Sequence, residues 1–256
     1  MKFCTVDGRR VEYLRLPSIH PRGNAPAMVF LHEGLGSLSM WRDFPQQVAD
    51  ACGCEAIVYS RHGYGRSDPL TEKRAPGFMH HEARVCLPEF LDQLAVERPI
   101  LLGHSDGASI ALIHAGTVPR PLTATVVMAP HVLVEDISIA SIQKAREAYL
   151  STDLKIRLGK YHDDPDSAFW GWNDIWLDPA FRDWNIEDCL PGIACPVLAI
   201  QGEDDEYGTM DQIARIARQC RDVEWMKLAD CRHSPHKDQP RQVIATVAEF
   251  VARILD

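Results

Sequence analysis

Short runs of apolar residues recur along the chain and alternate with segments of helical spacing. The apolar runs cover residues 27–31, 56–60, 99–102, 123–128, 196–201 and 223–228. Helical spacing is found at 107–115, 210–219 and 239–255. Strands that are apolar throughout, rather than at every second position, are typical of a parallel sheet covered by helices on both faces. The pattern therefore predicts an α/β fold with a mostly parallel central sheet flanked by helices.

Two segments depart from this alternation. Residues 3–16 alternate between apolar and polar around Asp7-Gly8, a pair typical of a type I′ turn, and so predict a β-hairpin. Residues 135–191 contain no convincing strand, although their apolar content is high and residues 137–150 have helical spacing. We expect this segment to be a helical cap over one end of the sheet, within a single domain that spans residues 1–256.

The composition and net charge indicate which kinds of partner molecule this protein is expected to bind. The chain has 27 Lys and Arg against 36 Asp and Glu, a formal net charge of −9. Nucleic-acid binding needs clustered Lys and Arg, so no nucleic-acid partner is expected. No apolar run approaches the ~20 residues of a membrane span, and the first residues lack the apolar region of a secretory signal. We therefore expect a cytoplasmic protein with a small-molecule substrate and no membrane partner, and the oligomeric state is left open.

No sequence pattern indicates a metal or an organic cofactor. The eight cysteines form no paired C-x-x-C set. The adjacent His80 and His81 would point in different directions on a helix, which is a poor geometry for sharing one metal ion. Gly63 and Gly65 lack the third glycine of a dinucleotide fingerprint. We expect neither a metal site nor a cofactor site.

The most specific motif is Gly103-His104-Ser105-Asp106-Gly107. It lies between the apolar run 99–102 and the helical segment 107–115, which is the strand–turn–helix context of a G-x-S-x-G nucleophile elbow. Side chains at 103 and 107 would collide with neighbouring backbone in so sharp a turn. The serine also precedes a helix N-terminus, where free N–H groups favour a developing negative charge. The motif predicts that Ser105 is a nucleophile.

A reactive serine needs a histidine base and an acid that orients it. Acidic residues at 203–206 follow the apolar run 196–201, and histidines at 233 and 236 follow the last run. This is the order, serine then acid then histidine, that the elbow requires. The residues alone leave Asp204 and Asp205 open as the acid, and His233 and His236 open as the base.

Together these features resemble the α/β-hydrolase family over nearly the whole chain. The family's Gly-x-x-Asp turn after the penultimate strand matches residues 202–205 and selects Asp205. The family's histidine seven residues before a proline matches His233 and Pro240, although Arg232 stands where a glycine is usual. The resemblance implies a triad of Ser105, His233 and Asp205.

The resemblance also implies an oxyanion hole. One N–H donor belongs to the residue after the nucleophile, Asp106. The family's His-Gly-x turn after the third strand aligns with residues 32–34, which places the second donor at Gly34, with Leu35 as the alternative. Glu33 stands where a glycine is usual in that turn.

Two acidic side chains, Glu33 and Asp106, are therefore expected near the nucleophile. Each could belong to a hydrogen-bonded network or pair with Arg61 or Arg66. Alternatively, they favour a neutral or cationic substrate and repel acids. The sequence leaves both interpretations open.

The expected pocket combines the tryptophan-rich cap with turns at the end of the sheet. Such a pocket suits an apolar or aromatic portion of a substrate. His131 follows the run 123–128 and emerges at the same end of the sheet as the triad. The candidate substrate-binding residues are Glu33, Leu35, Trp41, His131, Trp170 and Trp172.

The function predicted from these residues is a serine hydrolase that cleaves a small carboxylic ester, lactone or thioester. The same triad order serves carbon–carbon hydrolases and cofactor-free haloperoxidases of the family, so these remain alternatives. A non-catalytic small-molecule receptor on the same fold is a further alternative.

Overall fold

A computed structural model describes all residues from 1 to 256 and contains one eight-stranded sheet. The strands are β1 (Lys2–Val6), β2 (Arg9–Leu16), β3 (Met28–Leu31), β4 (Ala56–Tyr59), β5 (Ile100–His104), β6 (Ala124–Met128), β7 (Val197–Gly202) and β8 (Val223–Leu228). Their order across the sheet is β1-β2-β4-β3-β5-β6-β7-β8. β2 pairs antiparallel with both β1 and β4, and β3 to β8 are parallel to one another. The predicted mostly parallel sheet is confirmed.

Helices cover both faces of the sheet. They are α1 (Phe44–Cys52), α2 (Phe78–His81), α3 (Leu87–Gln93), α4 (Asp106–Thr117), α5 (Asp136–Ser151), α6 (Leu154–Leu158), α7 (Pro165–Trp176), α8 (Asp211–Gln219), α9 (Pro235–Asp238) and α10 (Pro240–Leu255). Apolar side chains of α1 and α10 pack on one face of the sheet, and those of α3, α4 and α8 pack on the other. None of these helices combines the length and the apolar character that crossing a lipid bilayer requires.

The helical pattern in the sequence predicts α4, α5, α8 and α10 and a helix start near His80, but not α3 between β4 and β5. There, α2 and α3 are joined by a π-helical turn, Glu82–Cys86. A π turn adds a residue to the local repeat and so interrupts the 3.6-residue period by which a helix is recognised.

The N-terminal hairpin has the turn that its sequence predicts. Asp7 has φ 49° and Gly8 has φ 71°. A type I′ turn requires positive φ at both central residues, which aspartate and glycine tolerate. The hairpin prediction is confirmed.

The segment between β6 and β7 is helical and contains no strand. It holds α5, α6 and α7, followed by two 3₁₀ turns, Pro179–Phe181 and Glu187–Gly192. Its large side chains, including Trp176 and Trp184, join the core on the α4 side of the sheet. The predicted cap at 135–191 therefore coincides with a packed helical insertion.

Candidate active site

Ser105 lies on a tight turn between β5 and α4. Its backbone has φ 53° and ψ −121°, a left-handed conformation that costs an L-residue about 1–3 kcal/mol. A Cβ atom added at Gly103 would overlap the carbonyl oxygen of Gly107, and one added at Gly107 would overlap that of Leu31. The two glycines therefore permit the turn that exposes the Ser105 hydroxyl above the carboxyl end of the sheet.

His233 connects Ser105 to Asp205. Its Nε2 atom lies 2.9 Å from Ser105 Oγ, and its Nδ1 atom lies 2.8 Å from Asp205 Oδ1. Asp205 follows β7 and His233 follows β8, so two adjacent parallel strands bring them together. An ionised carboxylate can only accept, so Nδ1 donates and Nε2 is left free to accept the serine proton.

The Asp205 carboxylate is buried and has a full set of donors. Its Oδ1 atom also accepts the N–H groups of Tyr207 at 2.8 Å and Gly208 at 3.2 Å, and Oδ2 accepts the Gln201 amide at 3.2 Å. Burial raises the pKa of Asp205, but the charge of His233 and the hydrogen bonds to the carboxylate outweigh it, so the pKa lies below its usual value. The site therefore holds an ionised acid next to the imidazole.

The alternative acid and base lie in different surroundings. Asp204 is exposed, whereas Asp205 is buried. Both ring nitrogens of His236 are buried without a hydrogen-bond partner, and the ring packs 4.8 Å from Trp41 and 5.4 Å from Phe44. Burial lowers the pKa of His236 well below its usual value. The hydrogen-bonded chain to Ser105 runs through His233 and Asp205.

Backbone N–H groups near Ser105 are available for a developing oxyanion. Those of Gly34, Leu35 and Asp106 have no acceptor within the protein. The Gly34 turn packs against the helical insertion, because a Cβ atom at 34 would overlap the indole ring of Trp172. The contacts leave Gly34 and Leu35 both available as the second donor.

A cavity of about 110 Å³ opens at Ser105. Several predicted residues line it: Glu33, Gly34, Leu35, Asp106, His131 and Trp172. Further lining residues that the sequence analysis missed are His104, Ile142, Trp176, Tyr207 and Ser234. Trp176 lies one helical turn after Trp172 on α7, so helical spacing from Trp172 was a usable signal for it. Ile142 and Tyr207 carried no comparable signal.

Trp41 does not line this cavity, and its prediction as a pocket residue is wrong. Its ring is buried 5.6 Å from Phe30 and 5.9 Å from Phe44, between the sheet and α1. The residue lies close to Ser105 only through His104, whose ring centroid is 6.3 Å away. Trp41 is therefore part of the core on the α1 side.

Trp170 does not line the cavity either. It packs edge-on against Tyr149 at 5.4 Å and faces a separate cleft of about 600 Å³ beside residues 70–74. That cleft is larger than the cavity at Ser105 but is lined by no residue of the hydrogen-bonded chain. Trp170 and Trp172 are two positions apart on α7, which places them on different faces of the helix.

The Asp106 side chain is buried against the helical insertion. Its Oδ1 atom accepts the indole N–H of Trp176 at 3.1 Å, and its Oδ2 atom has no partner. Burial raises the pKa of Asp106 despite the nearby charges of Arg61 and Arg74. This carboxyl group therefore belongs to a hydrogen-bonded contact with the helical insertion, not to an arginine pair.

Glu33 pairs with Lys237 and His104 instead of Arg61 or Arg66. Its Oε1 atom lies 3.4 Å from Lys237 Nζ, and its Oε2 atom lies 3.4 Å from His104 Nδ1. The Arg61 guanidinium donates to backbone carbonyl oxygens, including that of Glu33 at 3.3 Å. Burial raises the pKa of Glu33, but the charges of Lys237 and His104 outweigh it and hold the pKa well below its usual value.

His131 is a second histidine beside the hydrogen-bonded chain of Ser105, His233 and Asp205. Its ring lies 5.6 Å from that of His233 and 5.0 Å from that of Trp176. Burial, followed by the charge of His233, lowers the pKa of His131 to about 3. The ring is therefore neutral near pH 7. It lines the cavity as a group that can donate one hydrogen bond and accept another.

Two clusters have the residue types of metal sites, and neither lines the cavity at Ser105. They are Asp7, His81 and Cys86, and His62, Glu82 and Cys86, with the ligand atoms of each cluster within 4.8 Å of one another. The Arg74 guanidinium lies 3.8 Å from the Glu82 carboxylate. Arg74 thus already supplies the positive charge that a cation would contribute to the buried cluster.

Comparisons with known proteins agree with this architecture. Residues 28–246 match the model of a family described as the alpha/beta hydrolase family. The chain is 22% identical to the sn-1-specific diacylglycerol lipase ABHD11 of Danio rerio, over 90% of this chain and 80% of that protein. It is 20% identical to the 2-hydroxy-6-oxo-6-phenylhexa-2,4-dienoate hydrolase of Burkholderia cepacia, over 91% of this chain and 89% of that protein.

Solved structures share the fold along the whole chain. The proline iminopeptidase of Mycobacterium smegmatis superposes with a TM-score of 0.80 at 19% identity, covering 99% of this chain and 98% of that one. The enol-lactonase of Burkholderia xenovorans LB400 superposes with a TM-score of 0.78 at 20% identity, covering 98% and 100%. At such identities the likeness establishes the fold alone. With the family model matching most of its length, this chain belongs to the alpha/beta hydrolase family.

Proposed function

We propose that this protein is a serine hydrolase that cleaves a small carboxylic ester, lactone or thioester through an acyl-enzyme intermediate. The observation that carries the proposal is the continuous hydrogen-bonded chain from Ser105 Oγ through His233 to Asp205, with separations of 2.9 and 2.8 Å. In this role Ser105 is the nucleophile, His233 the general base and Asp205 the acid that orients it.

In the first step, Ser105 Oγ attacks the substrate carbonyl carbon while His233 Nε2 takes the serine proton. The carbonyl π electrons move to oxygen, and the N–H groups of Asp106 and Gly34, or Leu35 in place of Gly34, stabilise the resulting oxyanion. The tetrahedral intermediate collapses, the bond to the leaving alkoxide or thiolate breaks, and His233 returns the proton to the leaving group. The ionised Asp205 stabilises the imidazolium that exists between these two transfers.

In the second step, water replaces the leaving group. His233 removes a proton from the water as its oxygen attacks the acyl carbon. Collapse of the second tetrahedral intermediate expels Ser105 Oγ, which recovers its proton from His233. The products are a carboxylic acid and the free enzyme.

The small volume at Ser105 favours a compact group on one side of the scissile bond. Three apolar lining residues, Ile142, Trp172 and Trp176, lie within the segment 135–191, and Leu35 and Tyr207 come from outside it. The three support a role for that segment as a cap on a single domain. His131 and Asp106 add polar groups to the same cavity. An uncharged or cationic substrate fits an environment that already holds the acidic Glu33 and Asp106.

Hydrolysis of a carbon–carbon bond is a second candidate reaction. The relative from Burkholderia cepacia is named as the hydrolase of an oxo-dienoate, and such a substrate would use the same serine and histidine. A vinylogous diketone should therefore be assayed beside the esters.

The test combines turnover with labelling. We expect the wild-type protein to hydrolyse p-nitrophenyl acetate or butyrate, and we expect a fluorophosphonate probe to modify Ser105, located by peptide mass spectrometry. The Ser105→Ala variant should lose both the activity and the label. A wild-type protein that neither hydrolyses any of these substrates nor reacts with the probe would instead be a receptor on a hydrolase fold.

A further inference from the structure

We propose that Glu33 is a positioning residue, which acts through His104 to hold the backbone of the loop that carries His233. The inference rests on the proposed function, because the loop matters only if His233 is the base. It concerns a residue that replaces a glycine usual in the family's turn and that touches none of the three triad side chains.

His104 holds the backbone of His233 directly. Its Nε2 atom lies 2.7 Å from the carbonyl oxygen of His233, across 129 residues of chain. A carbonyl oxygen only accepts, so Nε2 must carry the hydrogen. The N–H group of His233 donates in turn to Glu206 Oε2 at 3.1 Å. Side chains therefore bind both the carbonyl oxygen and the N–H group of His233. Together they fix how closely its imidazole approaches Ser105.

Glu33 faces the other ring nitrogen of His104. Its Oε2 atom lies 3.4 Å from His104 Nδ1, and the two side chains are 15% and 1% exposed. At 3.4 Å the two atoms are at ion-pair distance, and Nδ1 is buried without a hydrogen-bond partner. A neutral imidazole has one N–H, which Nε2 already uses. An ionised Glu33 therefore stabilises the ring that carries a hydrogen on each nitrogen and keeps Nε2–H directed at the carbonyl oxygen.

Glu33 is the residue that forms an ion pair with His104. The His104 ring lies 5.2 Å from that of His233, 4.8 Å from that of His236 and 6.3 Å from that of Trp41. The ionised Glu33 is thus the anion in contact with His104. Its carboxylate pKa, lowered by Lys237 and His104 against the effect of burial, agrees with this charge state.

Two further features keep the Glu33 carboxylate in place. A Cβ atom at Gly36 would overlap Glu33 Oε2, so the turn needs a glycine there to admit the carboxylate. Lys237, on α9 just beyond His233, places Nζ 3.4 Å from Glu33 Oε1. Glu33 therefore links the turn at residues 32–35 to the loop that carries His233 through two contacts. One is with Lys237, and the other, which is buried, is with His104.

The first test observes the contact between Glu33 and His104 and needs no substrate. In protein labelled with ¹⁵N-histidine, long-range ¹H–¹⁵N spectra should show hydrogen on both ring nitrogens of His104 near pH 7. Glu33→Gln should convert this ring to a form with hydrogen on Nε2 alone or in exchange. A wild-type His104 with hydrogen on only one ring nitrogen near pH 7 would overturn the proposal whether or not the protein is a hydrolase.

The second test asks whether Glu33 acts through His104. We expect Glu33→Gln to slow fluorophosphonate labelling of Ser105 and to lower kcat for a neutral ester by about tenfold to a hundredfold, the effect of a misplacement of about 1 Å. KM should change by a smaller factor than kcat, because Glu33 lines the cavity at Ser105 but in this proposal acts mainly on the position of the base. His104→Gln should give a similar loss, and the double variant should be no slower than the slower single one. Losses that multiply, or labelling of Glu33→Gln at the wild-type rate, would overturn the proposal.

Two surface variants complete the design. Lys237→Met should fold normally, since its side chain is 43% exposed, and should slow labelling by roughly twofold to threefold at low salt. At about 1 M NaCl this difference should disappear, because charges are screened within about 3 Å. Glu203→Gln removes an exposed carboxylate from the neighbouring loop and should label like the wild type. Equal labelling of the wild type and Ser105→Ala would reject the proposed function alone, since the histidine spectra would still test the contact.

Discussion

The indole N–H of Trp176 donates to the carboxyl group of Asp106, 3.1 Å away and 70 residues earlier in the chain. Trp176 ends α7 of the helical insertion, and Asp106 is the first residue of α4, directly after Ser105. This hydrogen bond therefore joins the helical insertion to the turn that carries the proposed nucleophile. It also leaves the second oxygen of Asp106 without a partner in the protein.

A carboxyl group in this position should select substrates by charge. We expect hydrolysis of an amino-substituted ester and its neutral analogue to exceed that of the carboxylate analogue. Asp106→Asn keeps an acceptor for Trp176 but removes the charge, so it should raise the relative rate for the carboxylate ester by about tenfold, or ~1.4 kcal/mol. The measurement is kcat/KM for the three esters with both proteins. Unchanged ratios would show that Asp106 serves only to hold the helical insertion through Trp176.

Variants of the hydrogen-bonded chain should lose activity in a graded way. Ser105→Ala and His233→Ala should each lower kcat by on the order of 10⁴–10⁶, and Asp205→Asn somewhat less. His236→Gln is the control, because its ring packs against Trp41 behind the site. Steady-state kinetics with a p-nitrophenyl ester provides the measurement. A larger loss in His236→Gln than in His233→Ala would mean that the base is misassigned.

The sequence predicts this arrangement where short-range constraints determine it. Gly103, Ser105 and Gly107 report a turn that almost no other residues could form, and the ends of β7 and β8 bring Asp205 and His233 to the same edge of the sheet. The lining of the cavity depends instead on how an irregular insertion packs. Hence Trp172 lines the cavity and Trp170 does not, although both are tryptophans on the same helix.

The sequence pattern also does not predict which charged side chains pair with one another. Arg61 lies near Glu33 and Asp106 in the folded protein, yet its guanidinium group donates hydrogen bonds to backbone carbonyl oxygens instead. Glu33 is paired by Lys237, which lies 204 residues further along the chain. Such partners are chosen by three-dimensional distance, which residue type and spacing do not encode.

The glycines of the elbow should be essential to folding. Gly107→Ala places a methyl group on the carbonyl oxygen of Leu31, so the free energy of unfolding should fall by about 1–3 kcal/mol or more. Gly23→Ala is the matched control, because nothing lies within 4 Å of a Cβ atom at that position, and it should change stability by less than about 1 kcal/mol. Urea denaturation followed by circular dichroism measures both. Equal stabilities of the two variants would contradict the packing described for the elbow.

The buried His131 should make stability depend on pH. Its pKa falls from the ordinary 6.5 to about 3 in the folded protein, so between these values the unfolded chain binds a proton that the folded chain excludes. The contribution of this group is complete above about pH 6.5 and is lost as the pH falls towards about 3, at up to ~1.4 kcal/mol per pH unit. His131→Gln should reduce the slope of unfolding free energy against pH by up to one proton between about pH 6 and 4. An identical slope in the variant would show that the ring is protonated in the folded protein.

Acyl-chain preference should be set by Trp172 and be indifferent to Trp170. Trp172 lines the cavity at Ser105, whereas Trp170, on the same helix, faces the separate cleft beside residues 70–74. Trp172→Leu should therefore enlarge the cavity and raise kcat/KM for a longer p-nitrophenyl ester relative to the acetate. Each additional methylene group that becomes buried is worth about 0.8 kcal/mol, roughly fourfold in the ratio.

Trp170→Leu is the matched control, because it removes the same atoms from the same helix without touching the cavity. It should leave the ratio of hexanoate to acetate hydrolysis at its wild-type value, although both variants should lose some stability. The ratio within each protein cancels any shared loss of folded enzyme, so it isolates the shape of the cavity. If Trp170→Leu shifted the chain-length preference as much as Trp172→Leu did, the acyl group would have to extend into the outer cleft, and the small cavity could not be the determinant of specificity.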